Sequence, residues 1–548
     1  MGRSHMRESN TMQGKSLLER DELFRIGDTE KIWQKYCGFL DLSLEEFMAI
    51  QERLLMEQID LAWNSKLGRK IMGNQKPKSV EEFRRIVPLT TYEDYEPYLS
   101  EKREDVLAEK PVFWARTSGR GGSLKWVPYT LRAEEEACKN MIGAWILASA
   151  ERSHEVNLRL GGRMLFNLPQ RPYFSGWLAY SLMKRINFLT ILPMDLSERM
   201  EFQERIAESF KIALRTGVDY LASLSSILVK LGEDFRDYTS EIKLSWSMLH
   251  PLVFFRLIRA SLRCKLIEKR DLLPKDLWPV RAIFAWGADT SIYREQILHH
   301  WGRIPYEIYG ATEAGIIAMQ NWNKEWMSFI PYNNFLEFVP EEERLQGQRD
   351  RAHQPATLLL NELKEGQTYE IIITNFHGMP FLRYRLGDLL RVVALRDKKT
   401  GTNLPQVLFQ SRADDIVDLA GFTRLDEKTI WQAIANTGLM YEDWTTRKEY
   451  EQNSPVLHLY IELKESREAK EVERAVHEQL KVLDPDYRDL TQMLAAQPLK
   501  VTLLSKGTFQ SYLEQKRKAG ADLAHLKPRH TNAPYEDVEE LIRLSSRG

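Results

Sequence analysis

The sequence has few cysteines, no long apolar segment and almost no net charge. Its three cysteines (Cys37, Cys138 and Cys264) are far apart in 548 residues, so neither a disulfide framework nor a cysteine-ligated zinc motif is predicted. The longest apolar run, Met141 to Ala150, is too short to cross a bilayer, and the polar N-terminus lacks a secretory signal. A net charge of −1 creates no overall field that attracts nucleic acid or an anionic membrane. We therefore expect a cytoplasmic protein without nucleic-acid or membrane partners.

The rest of the composition is that of an ordinary globular protein. Hydrophobic residues make up 43% and charged residues 28% of the chain, which provides ample material for a core, and the length suggests more than one domain. Residues 1–6 read MGRSHM, like the remnant of a cloning vector. The pattern predicts a large domain over residues 7–410 and a small α+β domain over residues 416–548. In the small domain, Val456–Leu463 and Leu499–Leu504 read as strands and Ala469–Leu483 as an amphipathic helix.

Helical periodicity dominates several stretches of the large domain. Ser16–Met72, Leu131–Arg152, Met200–Thr216 and Tyr220–Leu231 are predicted as helices. Pro251–Lys269 is predicted as a helix that carries five basic side chains (Arg256, Arg259, Arg263, Lys265 and Lys269). Such a helix can contact nucleic acid or lipid, but at this neutral net charge a solvated face is the expected role.

A glycine-rich loop follows an apolar, strand-like stretch. Val112-Phe113-Trp114 leads into Thr117-Ser118-Gly119-Arg120-Gly121-Gly122-Ser123, and Lys125 comes shortly after. Glycines allow a tight turn in which backbone N–H groups approach an anion closely, and the hydroxyl, arginine and lysine side chains add donors. The loop therefore suits the phosphates of a nucleotide, although its order is not that of a Walker loop. A solvated Gly/Ser turn is the alternative interpretation.

A second motif lies after a predicted strand, Val280–Trp286, a helix, Ser291–His300, and a short strand, Pro305–Ile308. It reads Tyr309-Gly310-Ala311-Thr312-Glu313-Ala314-Gly315. Ligands bind at the carboxyl ends of strands in α/β sheets. At that position a tyrosine offers an aromatic face for a purine, and a threonine hydroxyl can donate to a phosphate oxygen. A glutamate can serve as a ligand for Mg²⁺. A polar β-turn is the alternative.

A third motif interrupts a predicted β section. Tyr369–Asn375 and Phe381–Ala394 read as strands after Glu341–Gln354, a charged run without periodicity that we interpret as a surface loop. Within the second strand lies Tyr384-Arg385-Leu386-Gly387-Asp388. The Asp388 carboxylate could accept hydrogen bonds from both hydroxyls of a ribose, whereas the alternative is a hairpin turn with an Arg–Asp pair.

The order of these motifs resembles that of the adenylate-forming superfamily of acyl-CoA ligases, luciferases and peptide-synthetase adenylation domains. The shared order is the glycine loop with its lysine, Tyr-Gly-x-Thr-Glu, Tyr-Arg-x-Gly-Asp and Arg-x-Asp-Asp. Five further segments are similar to the acyl acid amido synthetase branch, the auxin-responsive Gretchen Hagen family and its bacterial relatives (Phe83–Tyr95, Val127-Pro128, Tyr369-Glu370, Lys506–Phe509 and Leu526–Arg529). The resemblance implies an α/β fold: a large domain with adenylate-forming-enzyme sheets and a β-barrel-like section, a hinge at residues 411–415, and a small mobile domain.

The resemblance also implies a ligase that uses ATP and Mg²⁺. The carboxylate of a small-molecule acid would attack the α-phosphorus of ATP, and a second nucleophile would then displace AMP from the acyl-adenylate. Residues 117 to 122, with Lys125, would hold the phosphates (Thr117, Ser118, Gly119, Arg120, Gly121 and Gly122). Tyr309 would stack on adenine next to Gly310 and Ala311. Thr312 would bond the α-phosphate or the acyl carboxylate, and Glu313 would hold Mg²⁺.

The remaining implied roles concern the ribose and the small domain. Asp388 would take the ribose hydroxyls with Arg412 assisting. Asp414 would be the hinge about which the small domain turns between half-reactions, which excludes water from the adenylate. A lysine from the small domain would neutralise charge during adenylation, with Lys527 as the first candidate and Lys506 as the second.

Departures from the family pattern leave some points open. Arg120 stands where threonine is usual, so it is either a direct phosphate ligand or a salt-bridged bystander. The Gly-Lys signature of CoA ligases is missing from the small domain, which favours an amine acceptor, most simply an amino acid. We expect the protein to be a monomer or a weak dimer. The nearest alternative is an acyl-CoA ligase, and an alternative of another class is a non-catalytic module that senses ATP or an acid. Pro172-Tyr173-Phe174 and Trp177 could line the acyl pocket, with core packing as the alternative.

Overall fold

The structure is a computed structural model. It describes residues 22–116, 125–168, 171–186, 188–200, 202–233, 235, 251–286, 290–349, 353–413, 416–419, 423–451, 454–494, 497–518 and 528–546. These residues form two compact units. The first extends to Leu386 and resumes from Leu390 to Phe409, and the second contains Gly387–Leu389 and the chain from Gln410 onwards. None of the helices described is both long and apolar enough to cross a bilayer.

Helices make up much of the first unit. Their bounds are Thr29–Tyr36, Leu44–Trp63, Lys66–Met72, Val80–Ile86, Glu96–Leu99, Leu131–Ser149, Phe174–Met183, Met194–Ser197, Phe202–Thr216, Ser225–Glu233, Pro251–Arg263, Pro274–Leu277, Thr290–Trp301 and Glu341–Arg349. Local chemistry accounts for several of their starts. The Ser43 hydroxyl accepts from the Glu46 N–H while the Glu46 carboxylate accepts from the Ser43 N–H, a capping box.

The glycine-rich loop joins the two strands of a hairpin. Strand β1 (Phe113–Arg116) pairs antiparallel with β2 (Trp126–Tyr129), and Arg116 lies opposite Trp126. The Trp177 ring stacks on that of Phe113, with a centroid distance of 4.7 Å, and is buried in the core. The ends of the loop are therefore held together by paired strands that rest on a packed aromatic cluster.

Four parallel strands form a sheet in the order β4-β3-β5-β6. They are β3 (Arg163–Asn167), β4 (Leu189–Thr190), β5 (Tyr220–Leu224) and β6 (Ala282–Trp286). The prediction of one helix over Tyr220–Leu231 is wrong, because the run begins with β5, which pairs with both β3 and β6. A strand buried in a parallel sheet reads as a continuous apolar run, so periodicity does not distinguish it from a buried helix.

A seven-stranded sheet holds the second and third motifs. Its order is β10-β11-β12-β13-β9-β8-β7, with β7 (Ile308–Ala311), β8 (Gly315–Gln320), β9 (Met327–Phe329), β10 (Asn334–Pro340), β11 (Thr368–Asn375), β12 (Tyr384–Ala394) and β13 (Gln406–Arg412). Tyr306 first bridges to Phe284 of the parallel sheet, and the chain then enters β7. The predicted strand–helix–strand unit is thus split between two sheets.

The charged run Glu341–Gln354 is not simply a loop. Its first part forms the helix Glu341–Arg349, so the prediction of an irregular segment is wrong there. Three glutamates in the first turn interact favourably with the helix dipole. Of the side chains described in this helix, the buried one is that of Arg344, which is 3% exposed. Because the buried side chain is charged, the sequence of the helix shows no apolar periodicity.

The second unit is an α+β structure. The hairpin β14 (Val417–Leu419) and β15 (Thr423–Leu425) precedes a sheet of β16 (Tyr441–Glu451), β17 (Ser454–Leu463) and β18 (Leu499–Leu504). Strands β16 and β17 are antiparallel, and β17 and β18 are parallel. The helices are Glu427–Asn436, Ala469–Leu483, Pro485–Leu494, Thr508–Lys518 and Tyr535–Ser545. The helix and two strands that the sequence predicts in this unit are confirmed.

His530 joins two elements of the second unit through its imidazole. Its Nδ1 lies 2.7 Å from Glu427 Oε1, and its Nε2 lies 2.9 Å from Asp443 Oδ1. The ring stacks on Trp444 with a centroid distance of 4.5 Å. Burial alone would lower the pKa of His530, but the hydrogen bonds and charges of the two carboxylates outweigh it and raise this pKa to about 9.

We expect this raised pKa to make the second unit less stable at alkaline pH. Because the folded-state pKa of His530 exceeds the ordinary value of 6.5, its stabilisation is complete below pH 6.5 and is lost as the pH rises through about 9. The shift corresponds to a loss on the order of 3 kcal/mol. Urea unfolding between pH 6.5 and 9.5 measures it, with His530→Gln as the comparison.

The comparison separates His530 from the other buried histidines. Burial lowers the pKa values of His458 and His477, so their titration affects stability only as the pH falls through the ordinary histidine range. The free energy of unfolding of His530→Gln should therefore change much less between pH 6.5 and 9.5. An equal slope in both proteins would contradict the assignment.

The three cysteines are buried free thiols, as the sequence predicts. Cys264 lies in the π-helix Cys264–Glu268, which continues Pro251–Arg263, and comes close to the carboxylates of Glu268 and Asp276. The Arg270 guanidinium pairs with both carboxylates, 2.7 Å from Asp276. The cluster is therefore an ion-paired support for the π-helix and carries no free carboxylate for a metal.

Candidate active site

The structure describes part of the predicted site. Thr117 to Gly122, Asp414 and Lys527 lie outside the described residues, and of Arg412 only the backbone, at the end of β13, is described. Lys125, the Tyr309–Glu313 motif, Asp388 and Lys506 are described. The roles predicted for all of these residues stay predictions, and the described ones have the following surroundings.

Thr312, Glu313 and Ala314 form the turn between β7 and β8. Ala311 pairs with Gly315, and the register shifts between Tyr309 and Gly310. A Cβ atom at Gly310 would lie 2.6 Å from the Gly315 carbonyl oxygen, and Gly315 has a positive φ of 68°, so both positions favour glycine. The two glycines let the hairpin close tightly, and the tight turn determines the backbone position of Glu313.

Three side chains hold the backbone carbonyls of this turn. The Tyr129 hydroxyl donates to the Thr312 carbonyl at 2.7 Å, Asn375 Nδ2 donates to the Glu313 carbonyl at 2.9 Å, and Asn334 Nδ2 donates to the Ala314 carbonyl at 2.8 Å. Asn375 Nδ2 also lies 2.9 Å from Asn334 Oδ1. We name these three side chains the carbonyl clamp. Because all three are buried, the clamp gives the turn a fixed conformation.

We expect Asn375→Ala to slow acid-dependent exchange of pyrophosphate into ATP by about tenfold to a hundredfold, because small displacements of catalytic groups cost that much. The Mg²⁺ concentration for half-maximal rate should rise as well, which a loss of stability alone would not produce. Asn157→Ala is the matched control. It removes an amide that donates to the Ser149 carbonyl, and wild-type kinetics are expected. An unchanged Mg²⁺ requirement in Asn375→Ala would refute the positioning role.

The Glu313 carboxylate is half-buried and surrounded by phenols. The Tyr384 hydroxyl lies 3.4 Å from Glu313 Oε1, and no ion pair links Glu313 to a basic side chain of the described chain. Burial and, second, the charge of Glu313 raise the pKa values of Tyr384 and Tyr129, while burial raises that of Tyr92 to about 12. The phenols therefore stay neutral and leave the carboxylate charge for a cation.

Lys125 and Tyr309 lie beside aromatic rings. Lys125 Nζ is 5.2 Å from the centroid of the Tyr92 ring, and the Tyr92 hydroxyl accepts from the Trp126 N–H at 2.8 Å. The Tyr309 ring is buried and stacks on Phe409, with a centroid distance of 5.8 Å. Phe409, which no sequence motif pointed to, is thus a second aromatic surface next to Tyr309, the residue predicted to stack on adenine.

The third motif lies within strand β12 rather than in a hairpin turn. Arg385 pairs with Glu370 through two hydrogen bonds of 2.9 and 2.6 Å, so the alternative of an Arg385–Asp388 pair is wrong. Gly387 has a positive φ of 73°, which bends the strand just before Asp388. The Asp388 side chain is 5% exposed. A buried aspartate next to a bend is consistent with a binding role for this carboxylate.

Lys506 precedes a helix whose start is fixed by a buried carboxylate. Glu462, which is 4% exposed, accepts from the Phe509 N–H at 2.9 Å and from the Gly507 N–H, at the beginning of Thr508–Lys518. A carboxylate at a helix N-terminus is favourable. Lys506 itself is exposed and makes no ion pair with the described residues. The loop that carries this lysine is therefore fixed while its side chain stays available.

Sequence models of a known family match most of this chain. The N-terminal domain of the GH3 family matches residues 38–181, the central domain residues 327–412, and the C-terminal domain residues 427–534. The chain belongs to the GH3 family. The side chains of the carbonyl clamp and the loop of Lys506 lie in segments that these models cover, whereas the turn of Glu313 lies between the first two matches.

Curated relatives agree with this membership. An indole-3-acetic acid-amido synthetase of Arabidopsis thaliana, GH3.10, is 21% identical over 87% of this chain and 91% of its own length. A jasmonoyl–L-amino acid synthetase of Oryza sativa subsp. japonica, GH3.5, is 22% identical over 48% of each chain. Both are named as synthetases.

Solved structures share the fold. An Arabidopsis acyl acid amido synthetase, AtGH3.15, in complex with 2,4-DB superposes with a TM-score of 0.67 at 18% identity, over 92% of this chain and 95% of that one. A 2-hydroxyisobutyryl-CoA ligase in the postadenylation state superposes with a TM-score of 0.58 at 14% identity, over 94% of each chain. The predicted α/β adenylate-forming fold is confirmed. The predicted class of acyl acid amido synthetase agrees with the family and with the names of its relatives.

Proposed function

We propose that this family member activates a small carboxylic acid as an acyl-adenylate with ATP and Mg²⁺, and then transfers the acyl group to the amine of an amino acid. The observation that carries the proposal is the Glu313 carboxylate. It is half-buried, stands on a turn held by the carbonyl clamp, and makes no ion pair with a described basic residue. Such an oxygen ligand suits a hard divalent cation that also binds substrate phosphates.

The chemistry explains why a cation is needed at this position. The acid's carboxylate and the α-phosphate of ATP are both anionic, so their approach is opposed by repulsion. A cation held at Glu313 would neutralise part of this charge in the transition state. The Thr312 hydroxyl, one residue away, would orient the α-phosphate or the acyl carboxylate. The neutral phenol of Tyr384 would add a donor without adding charge.

The phosphates are assigned to residues 117 to 122 and Lys125. The hairpin β1–β2 supports this assignment, because it brings both ends of the loop together at Arg116 and Trp126. Arg120 and Lys125 would supply positive charge for the departing pyrophosphate. Tyr309 would pack on adenine, and Asp388, assisted by Arg412, would accept the ribose hydroxyls.

We assign to the second unit the domain rotation that separates the two half-reactions. Asp414 would be the hinge, and the turn of the small domain would replace one set of catalytic groups by another. Lys527 is the first choice for the lysine that neutralises charge during adenylation, and Lys506 is the second. The fixed backbone at Gly507, which Glu462 holds, supports a defined position for Lys506.

An amino acid is the proposed acceptor, and CoA is the alternative. The absence of the Gly-Lys signature favours the amine, and so do the names of two relatives, an L-amino acid synthetase and an amido synthetase. The fold does not separate the two acceptors, because a CoA ligase also superposes on this chain. A sensor without catalysis would bind ATP but leave pyrophosphate unexchanged.

Two measurements decide among these functions. Exchange of labelled pyrophosphate into ATP, screened over aryl, indolyl and aliphatic acids, is expected to depend on one class of acid, and its absence with all of them would leave only the sensor. The preformed adenylate is then offered amino acids or CoA separately. AMP release with amino acids supports the amide ligase, whereas release with CoA alone excludes it.

A further inference from the structure

The helix Pro251–Arg263 and its π-helical continuation Cys264–Glu268 have one buried and one solvent-facing side. Leu257, Ala260 and Cys264 are buried, and the first two pack in a core of the first unit. The opposite side carries large apolar side chains. Leu262 is 53% exposed, Leu266 73% and Ile267 75%. The sequence predicted a solvated basic face, but the structure shows that the same face is also apolar.

We name this surface the amphipathic ridge: Ile258, Leu262, Leu266 and Ile267 with the exposed cations Arg259, Arg263, Lys265 and Lys269. Ile258, Leu262 and Leu266 recur every four residues and therefore form one stripe along the helix. Arg259 and Arg263 lie on one side of this stripe, and Lys265 lies on the other. Of these cations, Arg263 is paired with Glu268 at 3.3 Å. Arg259, Lys265 and Lys269 make no ion pair within the described parts of the chain.

We propose that the amphipathic ridge binds the surface of an anionic lipid bilayer. An apolar stripe flanked by cations is the arrangement that lies in the interface plane of a membrane, with the apolar side chains among the acyl chains and the cations at the headgroups. Exposed apolar side chains grouped on one element mark an interaction surface. The cations on both flanks require that the partner be negatively charged around the apolar contact.

A second copy of this chain does not fit the ridge. A symmetric contact places the same patch on itself, so the cations of one ridge would face the cations of the other. Like charges at close range oppose association. A bilayer with acidic headgroups provides anions on both sides of the stripe. A ligase held there would meet amphiphilic carboxylic acids at the concentration that they reach in the lipid.

Co-sedimentation of the full chain with vesicles tests the proposal. Vesicles of phosphatidylcholine with about one third phosphatidylglycerol are compared with pure phosphatidylcholine at the same lipid concentration. We expect partitioning to the anionic vesicles only, weakening as salt is added, because surface charges are screened. Leu266→Ser/Ile267→Ser should lower the partition coefficient by about tenfold or more, and Arg259→Gln/Lys265→Gln by about fivefold for each cation.

The helix Ala469–Leu483 of the second unit supplies a matched control. Val482 is 75% exposed there, and Lys470 is also exposed, so Lys470→Gln/Val482→Ser removes the same kinds of group from another surface. Its partitioning should equal that of the wild type. Equal losses in the control, or no binding to anionic vesicles, would overturn the proposal. So would light scattering that shows a dimer dissociated by Leu266→Ser/Ile267→Ser without any effect on vesicle binding. Because no acid or ATP is present, failure here leaves the proposed ligase activity untouched.

Discussion

Glu313→Gln is expected to reduce acid-dependent exchange of pyrophosphate into ATP on the order of a thousandfold. The amide keeps the size of the side chain and the hydrogen bond with the Tyr384 hydroxyl, but it removes the charge that would hold Mg²⁺. Stabilisation of developing charge by a bound metal amounts to several kcal/mol, and 4 kcal/mol corresponds to about three powers of ten in rate. The rate is measured as a function of Mg²⁺ concentration at saturating ATP and acid.

Tyr384→Phe is the control for this experiment. It removes the 3.4 Å contact with Glu313 but keeps the ring that packs on Phe381, 4.5 Å away between centroids. Only a few-fold loss is expected, because the contact is long and involves a neutral group. Glu313→Asp should retain part of the activity at raised Mg²⁺. If Glu313→Gln and Tyr384→Phe lost activity equally, with the same Mg²⁺ dependence as the wild type, Glu313 would not be a metal ligand.

The difference between what the sequence predicts and what the structure adds is clear at this turn. The hydroxyl of Thr312 and the carboxylate of Glu313 predict binding of a nucleotide and Mg²⁺ from their chemistry alone. The carbonyl clamp was missed, since Tyr129, Asn334 and Asn375 act through side-chain bonds to backbone that is distant in sequence. The one sequence signal for these residues is a polar side chain at the end of an apolar strand, as in Ile371–Asn375. Buried amides must be hydrogen-bonded, but the sequence does not name their partners.

In the fold as well, features that depend on neighbouring residues are predicted from the sequence, and features that depend on distant segments are not. Periodicity located the helix Ala469–Leu483 and the strand β18 because each contrasts a buried with an exposed side. It failed over the first part of Tyr220–Leu231, where the neighbours β3 and β6 bury Tyr220–Leu224 as β5 before the helix Ser225–Glu233 begins. It also could not tell that Ile308–Ala311 pairs with β8 in an antiparallel sheet, because strand partners depend on chain segments brought together only by folding.

The largest expected loss of stability lies at a buried ion pair of the first unit. Glu337 and Arg383 are 1% and 5% exposed and form two hydrogen bonds of 2.9 and 3.0 Å. The Arg383 guanidinium also donates to the Val87 carbonyl at 2.6 Å, so it connects β10 with the end of the helix Val80–Ile86. Glu337→Gln would leave a buried cation without its counter-charge. We expect the free energy of unfolding to fall by about 3–5 kcal/mol, measured by urea denaturation.

Two further variants show whether the missing charge is the cause. Glu337→Met with Arg383→Met removes both charges, and its loss should be smaller than the sum of the losses of Glu337→Met and Arg383→Met alone, because neither member of the pair is left behind as an unpaired ion. Glu370→Gln breaks the neighbouring pair with Arg385, whose side chain is 32% exposed and can reach water, so about 2 kcal/mol is expected. If the losses in the double variant were additive, packing rather than the charge pair would stabilise the contact between β10 and the helix Val80–Ile86. Replacing the pair by apolar side chains would then cost as much as the two single losses together.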